Sequence, residues 1–256
     1  MAEHPLVVLA GPSLLDPAAL DARVVHWTDA TGYVARLADL RPALIVVDSR
    51  AEGWKSWAVT PRASTATRRI PVIVLAEDEP SRREADQAGA SAVIAPGELA
   101  ASLPALLRDL ARPADDLLRA ELADDCAQPL PPEAAEAIRR FNAGDYYRQH
   151  DLFEALWMEE ERPIRDLYRA ILQVGIAYYH IVGSNPRGAL KMLLKSQQWL
   201  MPLPDVCQGV DVAQLRADAA AVRAELERLG EDHFDQFDRS LLRPVRWNGD
   251  SANLIP

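Results

Sequence analysis

The chain has 256 residues, with 28 Lys and Arg against 38 Asp and Glu and a formal net charge of −10. That length accommodates two modest domains, each with its own core, and 49% hydrophobic with 26% charged residues is a globular balance. Acidity without a Lys/Arg block argues against nucleic-acid binding, and no run approaches the ~20 apolar residues that span a bilayer, so neither nucleic acid nor membrane is an expected partner.

The first run, Leu6 to Ala10, is short and has no Lys or Arg before it, so it is expected to be a strand rather than a secretory signal. Leu6-Val7-Val8-Leu9, Ala43-Leu44-Ile45-Val46-Val47 and Pro71-Val72-Ile73-Val74-Leu75 are continuous apolar runs, the pattern of strands buried on both faces of a parallel sheet. Arg23-Val24-Val25-His26-Trp27 and Ala92-Val93-Ile94-Ala95 add two weaker strands. Helical periods lie between them at Ala30 to Leu40, Ser81 to Ala88 and Glu98 to Leu110. The alternation predicts a doubly wound, five-stranded parallel α/β domain over residues 1–111.

Residues 112–132 change character and are expected to be a linker. Arg112-Pro113-Ala114-Asp115-Asp116 opens it, Pro129-Leu130-Pro131-Pro132 closes it, and Leu117 to Leu122 could form a short helix. From there to residue 256 the periods are helical only, so the fold class is α/β plus an all-α bundle over 133–256. Its helices run from Glu133 to Phe141, from a cap at Asp145 to about Glu160, from Ile164 to Val182, from Asn185-Pro186 to about Leu200, and from Val212 to Leu229. Asn142 and Gly144 fit helix-stop chemistry. The tail from Glu231 has no clear period. Cys126 and Cys207 show no CxxC spacing and are expected to be free thiols, which with the missing export signal points to the cytoplasm.

Three landmarks in the first half form a pattern. Asp48 ends Leu44-Ile45-Val46-Val47-Asp48; Ile70 to Leu75 follows as a fourth strand; Ala88-Gly89-Ala90-Ser91-Ala92-Val93-Ile94-Ala95-Pro96 makes a turn–strand–turn. Together they resemble the response-regulator receiver family, in which the aspartate ending the third strand accepts a phosphoryl group. The rest of that family's chemistry is missing. Ala10 and Gly11 stand where an acidic pair would hold Mg²⁺, Ala76 replaces the hydroxyl residue and Ala95 the lysine. Phosphoryl transfer depends on positioning and charge neutralisation by metal and cation, so Asp48 is a degenerate phosphoacceptor. The resemblance then implies a pseudo-receiver for association with a protein partner or a second copy. Trp54 and Trp57, in or near the loop after Asp48, either form a partner surface or cover the strand ends.

In the helical half, His150-Asp151-Leu152-Phe153-Glu154-Ala155-Leu156-Trp157 carries an H-x-x-x-E-x-x-W pattern. At helical pitch His150, Glu154 and Trp157 stack on one face with Tyr146 and Phe153. An imidazole and a carboxylate on such a face are costly without partners. Phe141-Asn142-Ala143-Gly144-Asp145-Tyr146-Tyr147, then Arg165 to Val174, Tyr179-His180 and Asn185-Pro186-Arg187-Gly188-Ala189-Leu190 continue the pattern. Over residues 137–200 the chain resembles the family catalogued as domain of unknown function 309, which implies a helical bundle and no particular activity.

On the following helix Arg165, Arg169, Gln173, Ile176 and His180 share one broad face. Antiparallel packing would let that face meet His150 and Glu154. Three readings are open. Glu154 could pair with Arg165 or Arg169 while the His and Gln groups satisfy one another. Arg165, His150 and Gln173 could take a small ligand or anion. His150, Glu154 and His180 could hold a divalent metal such as Zn²⁺ or iron, with Asp151 or Glu154 as general base toward its water. No cofactor is otherwise implied. Asp232-His233-Phe234-Asp235 fits a solvated acidic tail, and Trp199 and Met192 fit the core. The function these residues suggest is regulatory or binding; the alternative is a metal-dependent hydrolase or oxygenase in the bundle.

Overall fold

The computed structural model describes residues 5–13, 16–111 and 115–249. The chain divides into two compact units, residues 1–114 and 115–256. The first holds β1 (Leu6–Ala10), β2 (Arg23–Trp27), α1 (Tyr33–Leu40), β3 (Leu44–Asp48), α2 (Trp54–Ala63), β4 (Val72–Leu75), α3 (Glu79–Gln87), β5 (Ala92–Ile94) and α4 (Leu99–Leu110). The strands are parallel in the order β2-β1-β3-β4-β5, one of the two common doubly wound orders.

Both faces of the central strands are covered, which is why residues 7–10, 44–47 and 72–75 are apolar. Val8, Ala10, Ile45, Val47 and Val74 pack beneath Tyr33, Leu37, Trp54 and Trp57. Their neighbours Val7, Leu9, Leu44, Val46 and Ile73 face the other way, against Leu99 and Leu103, as a period of two requires. The loop expected after Asp48 is instead helix α2. Trp54 and Trp57 are buried on it, and Trp57 meets Tyr33 edge-on at 4.8 Å between ring centroids. These indoles cover the strand ends and present no partner surface.

The second unit holds α5 (Asp115–Cys126), α6 (Pro132–Asn142), α7 (Tyr146–Glu159), α8 (Arg165–Val182), α9 (Pro186–Leu200), a two-strand hairpin β6 (Val206–Cys207) and β7 (Val210–Asp211), and α10 (Val212–Leu229). Asp145, Asn185 and Asp211 cap α7, α9 and α10 by accepting from the backbone N–H of Arg148, Gly188 and Gln214. Helix α8 is central: Ile171, Val174, Gly175, Ala177 and Tyr178 are all buried in it.

Two expectations are corrected here. The segment after residue 114 is helical and belongs to the bundle; residues 112–114 lie outside the described ones. Leu122 of α5 is in the core, the Arg119 guanidinium donates to the Met201 carbonyl at 3.0 Å, and Arg162 pairs with Asp125 at 2.8 Å. Cys126 and Cys207 are not free but bridged, across a separation of 81 residues that no local spacing reveals. The bridge ties α5 to the β6–β7 hairpin, which the purely helical reading overlooked, and removes the thiol argument for a reducing compartment. Among the described residues no helix is long and apolar enough to cross a membrane.

Residues 231–249 of the tail also have a defined place. Asn142 donates through Nδ2 to the Val245 carbonyl (2.9 Å) and accepts the Val245 N–H on Oδ1 (2.8 Å). Beyond stopping α6, this residue anchors the returning chain, whose Phe237 and Val245 are buried in the bundle core.

Candidate functional site

In the first unit Asp48 lies at the C-terminal edge of the sheet, where doubly wound domains bind ligands. Its carboxylate is 1% exposed and already engaged. Oδ1 accepts from Arg50 Nε (2.9 Å) and the Arg50 backbone N–H (3.1 Å), and Oδ2 accepts from Arg50 Nη2 (2.8 Å). The same contacts hold the Arg50 guanidinium above its ordinary pKa. Beside it, the Trp57 indole fills the space over Gly11; a Cβ there would come within 2.9 Å of Trp57 Cδ1. Ala10, Ala76 and Ala95 contribute no polar side chain.

In the second unit α7 and α8 run antiparallel. At one end the Tyr147 and Tyr179 rings lie 6.4 Å apart; at the other the Arg165 guanidinium stands 5.3 Å above the Trp157 ring. The buried side of α7 is set by Gln149 and Phe153. His150, Glu154 and Trp157 occupy the edge of that side and are half-buried. Asp151 is exposed, and His150 Nδ1 lies 3.2 Å from its carboxylate. His180, at the α8–α9 turn, places Nδ1 3.3 Å from Asn185 Nδ2. Each imidazole therefore has a partner close in sequence rather than the other imidazole.

Among the described residues no three His, Cys, Asp or Glu side chains are grouped to hold a metal ion. The set His150, Glu154 and His180, on which a divalent-metal centre depended, is not assembled, because His180 is drawn to the turn with α9. The expected pairing network does not form as written either. Glu154 has no hydrogen bond or ion pair among the described residues, and Arg165 shows no carboxylate partner.

What does converge is an aromatic and cationic stack. The Arg169 guanidinium is 4.4 Å from the Trp157 ring of α7 and 4.2 Å from the Trp199 ring of α9. It lies between two indoles, a geometry in which cation–π attraction adds to packing. Arg165 stacks on Trp157 one turn before. Arg165 Nε is enclosed and has no hydrogen-bond acceptor, and neither does the carbonyl of Gln173, which is 3% exposed, have a donor. A second buried amide, Gln149, rests over Gly175 so closely that a Cβ there would fall 2.3 Å from Gln149 Nε2. That amide donates to the Leu172 carbonyl at 3.4 Å, and its own Oε1 is also unmatched.

Of the residues expected at a polar site, Trp157 and Arg165 meet in this stack and Gln173 is buried on the same helix, while Gln149 and the part played by Trp199 were overlooked. Gln149 stands one turn before Phe153, an i,i+4 relation that marks it as core-facing. Trp199 offered no such signal, since a tryptophan at helical spacing is ordinarily core.

The family model described as domain of unknown function (DUF309) matches residues 134–192. The match takes in α7 and α8 whole and stops within α9, short of Trp199. A protein of Aquifex aeolicus (strain VF5), itself described as uncharacterized, is 26% identical over 83 residues, 32% of this chain and 25% of that protein. The chain therefore spans about a quarter of that relative's length.

Proposed function

We propose that this is a regulatory or binding protein in which the helical unit recognises a small ligand on the α7–α8–α9 face, and the receiver-like α/β unit serves association without phosphoryl transfer. One observation carries the reading: Arg165 Nε and the Gln173 carbonyl are buried without partners beside the Trp157–Arg169–Trp199 stack. Native proteins satisfy the great majority of buried polar groups, and the exceptions call for a ligand, a water or a catalytic role. Convergent polar groups set among aromatics are the usual make-up of a binding site. For the α/β unit, the support is the carboxylate of Asp48, which is forked by Arg50, an arginine that also pairs with Glu77 at 3.7 Å. The enzyme alternative has no observation in its favour, since its three donors are not grouped.

A thermal-shift screen of the full chain against small metabolites tests the reading. A ligand at a hundredfold its Kd stabilises the folded state by about 2.7 kcal/mol, and Trp157→Ala and Gln173→Leu should each abolish that gain. A screen that leaves the melting temperature unmoved, or a gain unaffected by both variants, would overturn it.

A further inference from the structure

We infer that the ligand of this face carries an oxyanion, a carboxylate or phosphate group, seated on Arg165. The inference rests on the binding reading above and narrows it to a chemical class. Arginine offers donors in a fixed planar fork and no acceptor, so an arginine left without an acceptor calls for one from outside. Arg165 is in that position: its guanidinium stacks on Trp157 at 5.3 Å, Nε is enclosed with no acceptor, and no carboxylate of the described residues pairs with it. The residue is only half-buried, so its terminal nitrogens stay reachable from solvent.

The surroundings strengthen the charge preference. Arg169 is fixed one turn further on between Trp157 and Trp199, which adds a second positive charge on the same stripe of α8. A guanidinium stacked as Arg165 is presents its in-plane N–H groups to a planar or tetrahedral oxyanion, and such charge-assisted bonds are about twice as strong as neutral ones. The Gln173 carbonyl, further along the stripe, accepts only, so it favours an oxyanion whose molecule also carries a hydroxyl or amine donor.

Titration of the full-length chain with inorganic phosphate and, separately, with sodium benzoate tests the inference, read by tryptophan fluorescence and calorimetry against sodium chloride at equal ionic strength. Saturable binding of either anion is expected, weakened at least about tenfold, or about 1.4 kcal/mol, in Arg165→Gln and unchanged in the control Arg148→Gln on the exposed face of α7. The stronger of the two anions identifies phosphate or carboxylate as the group bound. Arg165→Lys, which keeps charge but loses the fork, gives an intermediate loss and serves if the Gln variant fails to fold. No saturation with either anion, or equal affinity in both Arg165 variants, overturns the inference. If neutral or cationic metabolites stabilise the protein through Trp157 while both anions fail, the binding reading stands and the oxyanion assignment falls.

Discussion

The edge of the α/β sheet and the α7–α8–α9 face both bring charged side chains close to buried apolar surface, and they treat them in opposite ways. At the sheet edge Asp48 is forked by Arg50 and the neighbouring space is packed with Trp57. On the helical face Glu154 is unpaired among the described residues and Arg165 Nε and the Gln173 carbonyl have no partner. A polar group inside a protein is costly unless satisfied, so the first arrangement is self-sufficient as structure and the second is incomplete. The position where a receiver would carry its chemistry is closed, and the unmatched groups lie in the other unit.

The largest expected effect tests whether the two units respond separately. Replacing both Cys126 and Cys207 with Ala removes a cross-link over 81 residues and should destabilise the helical unit by about 3 kcal/mol. Calorimetry should show its transition lowered and that of the α/β unit in place; equal movement of both would break the comparison. Next, Asp48→Ala removes the buried carboxylate that forks Arg50 and leaves it only the exposed Glu77, which should cost about 2 kcal/mol by denaturant unfolding. Intact mass after acetyl phosphate treatment of the native protein should show no phosphoryl adduct on Asp48. An adduct would reopen the phosphoacceptor role.

Asn142→Ala deprives Val245 of both backbone partners and should cost about 1–2 kcal/mol, with limited proteolysis cutting the C-terminal segment first. Gln173→Leu should do the reverse of Asp48→Ala: removing an unmatched buried carbonyl is neutral or stabilising by up to about 1 kcal/mol, while ligand binding is lost. A stability cost above about 2 kcal/mol would mean that Gln173 has a partner after all. The smallest effect concerns acid. Arg162 hydrogen bonds hold the Glu160 carboxyl at about 2 against an ordinary 4.5. The pair thus stabilises the fold above about pH 4.5, and this contribution fades as pH falls toward 2. Stability against pH for Glu160→Gln should lose that slope, by less than about 1 kcal/mol because the pair is near the surface.

Much of the architecture was legible along the chain. Continuous apolar runs marked three of the five strands and weaker runs the other two, the Asp145 and Asn185 caps marked the starts of α7 and α9, and the three-to-four-residue periods marked the bundle. Helix α2 was lost because Trp54-Lys55-Ser56-Trp57 follows Gly53 closely and looks like a loop with two aromatics. The β6–β7 hairpin was lost because two-residue strands carry no period. On the candidate site, the helical period alone put Trp157 on one face of α7, and Arg165 and Gln173 on one face of α8. The metal set failed because helical geometry fixes which face a residue occupies, not which neighbour its tip reaches.

Sequence alone therefore determined the order and type of most elements and the faces on which polar residues stand, since those follow from local backbone repeats of two and of 3.6 residues. Tertiary structure alone decided the partners: Cys207 for Cys126, Val245 for Asn142, Trp199 for Arg169, and Asn185 for His180. Partnership depends on distances of a few ångströms between side chains far apart in the chain, and no periodic pattern encodes that.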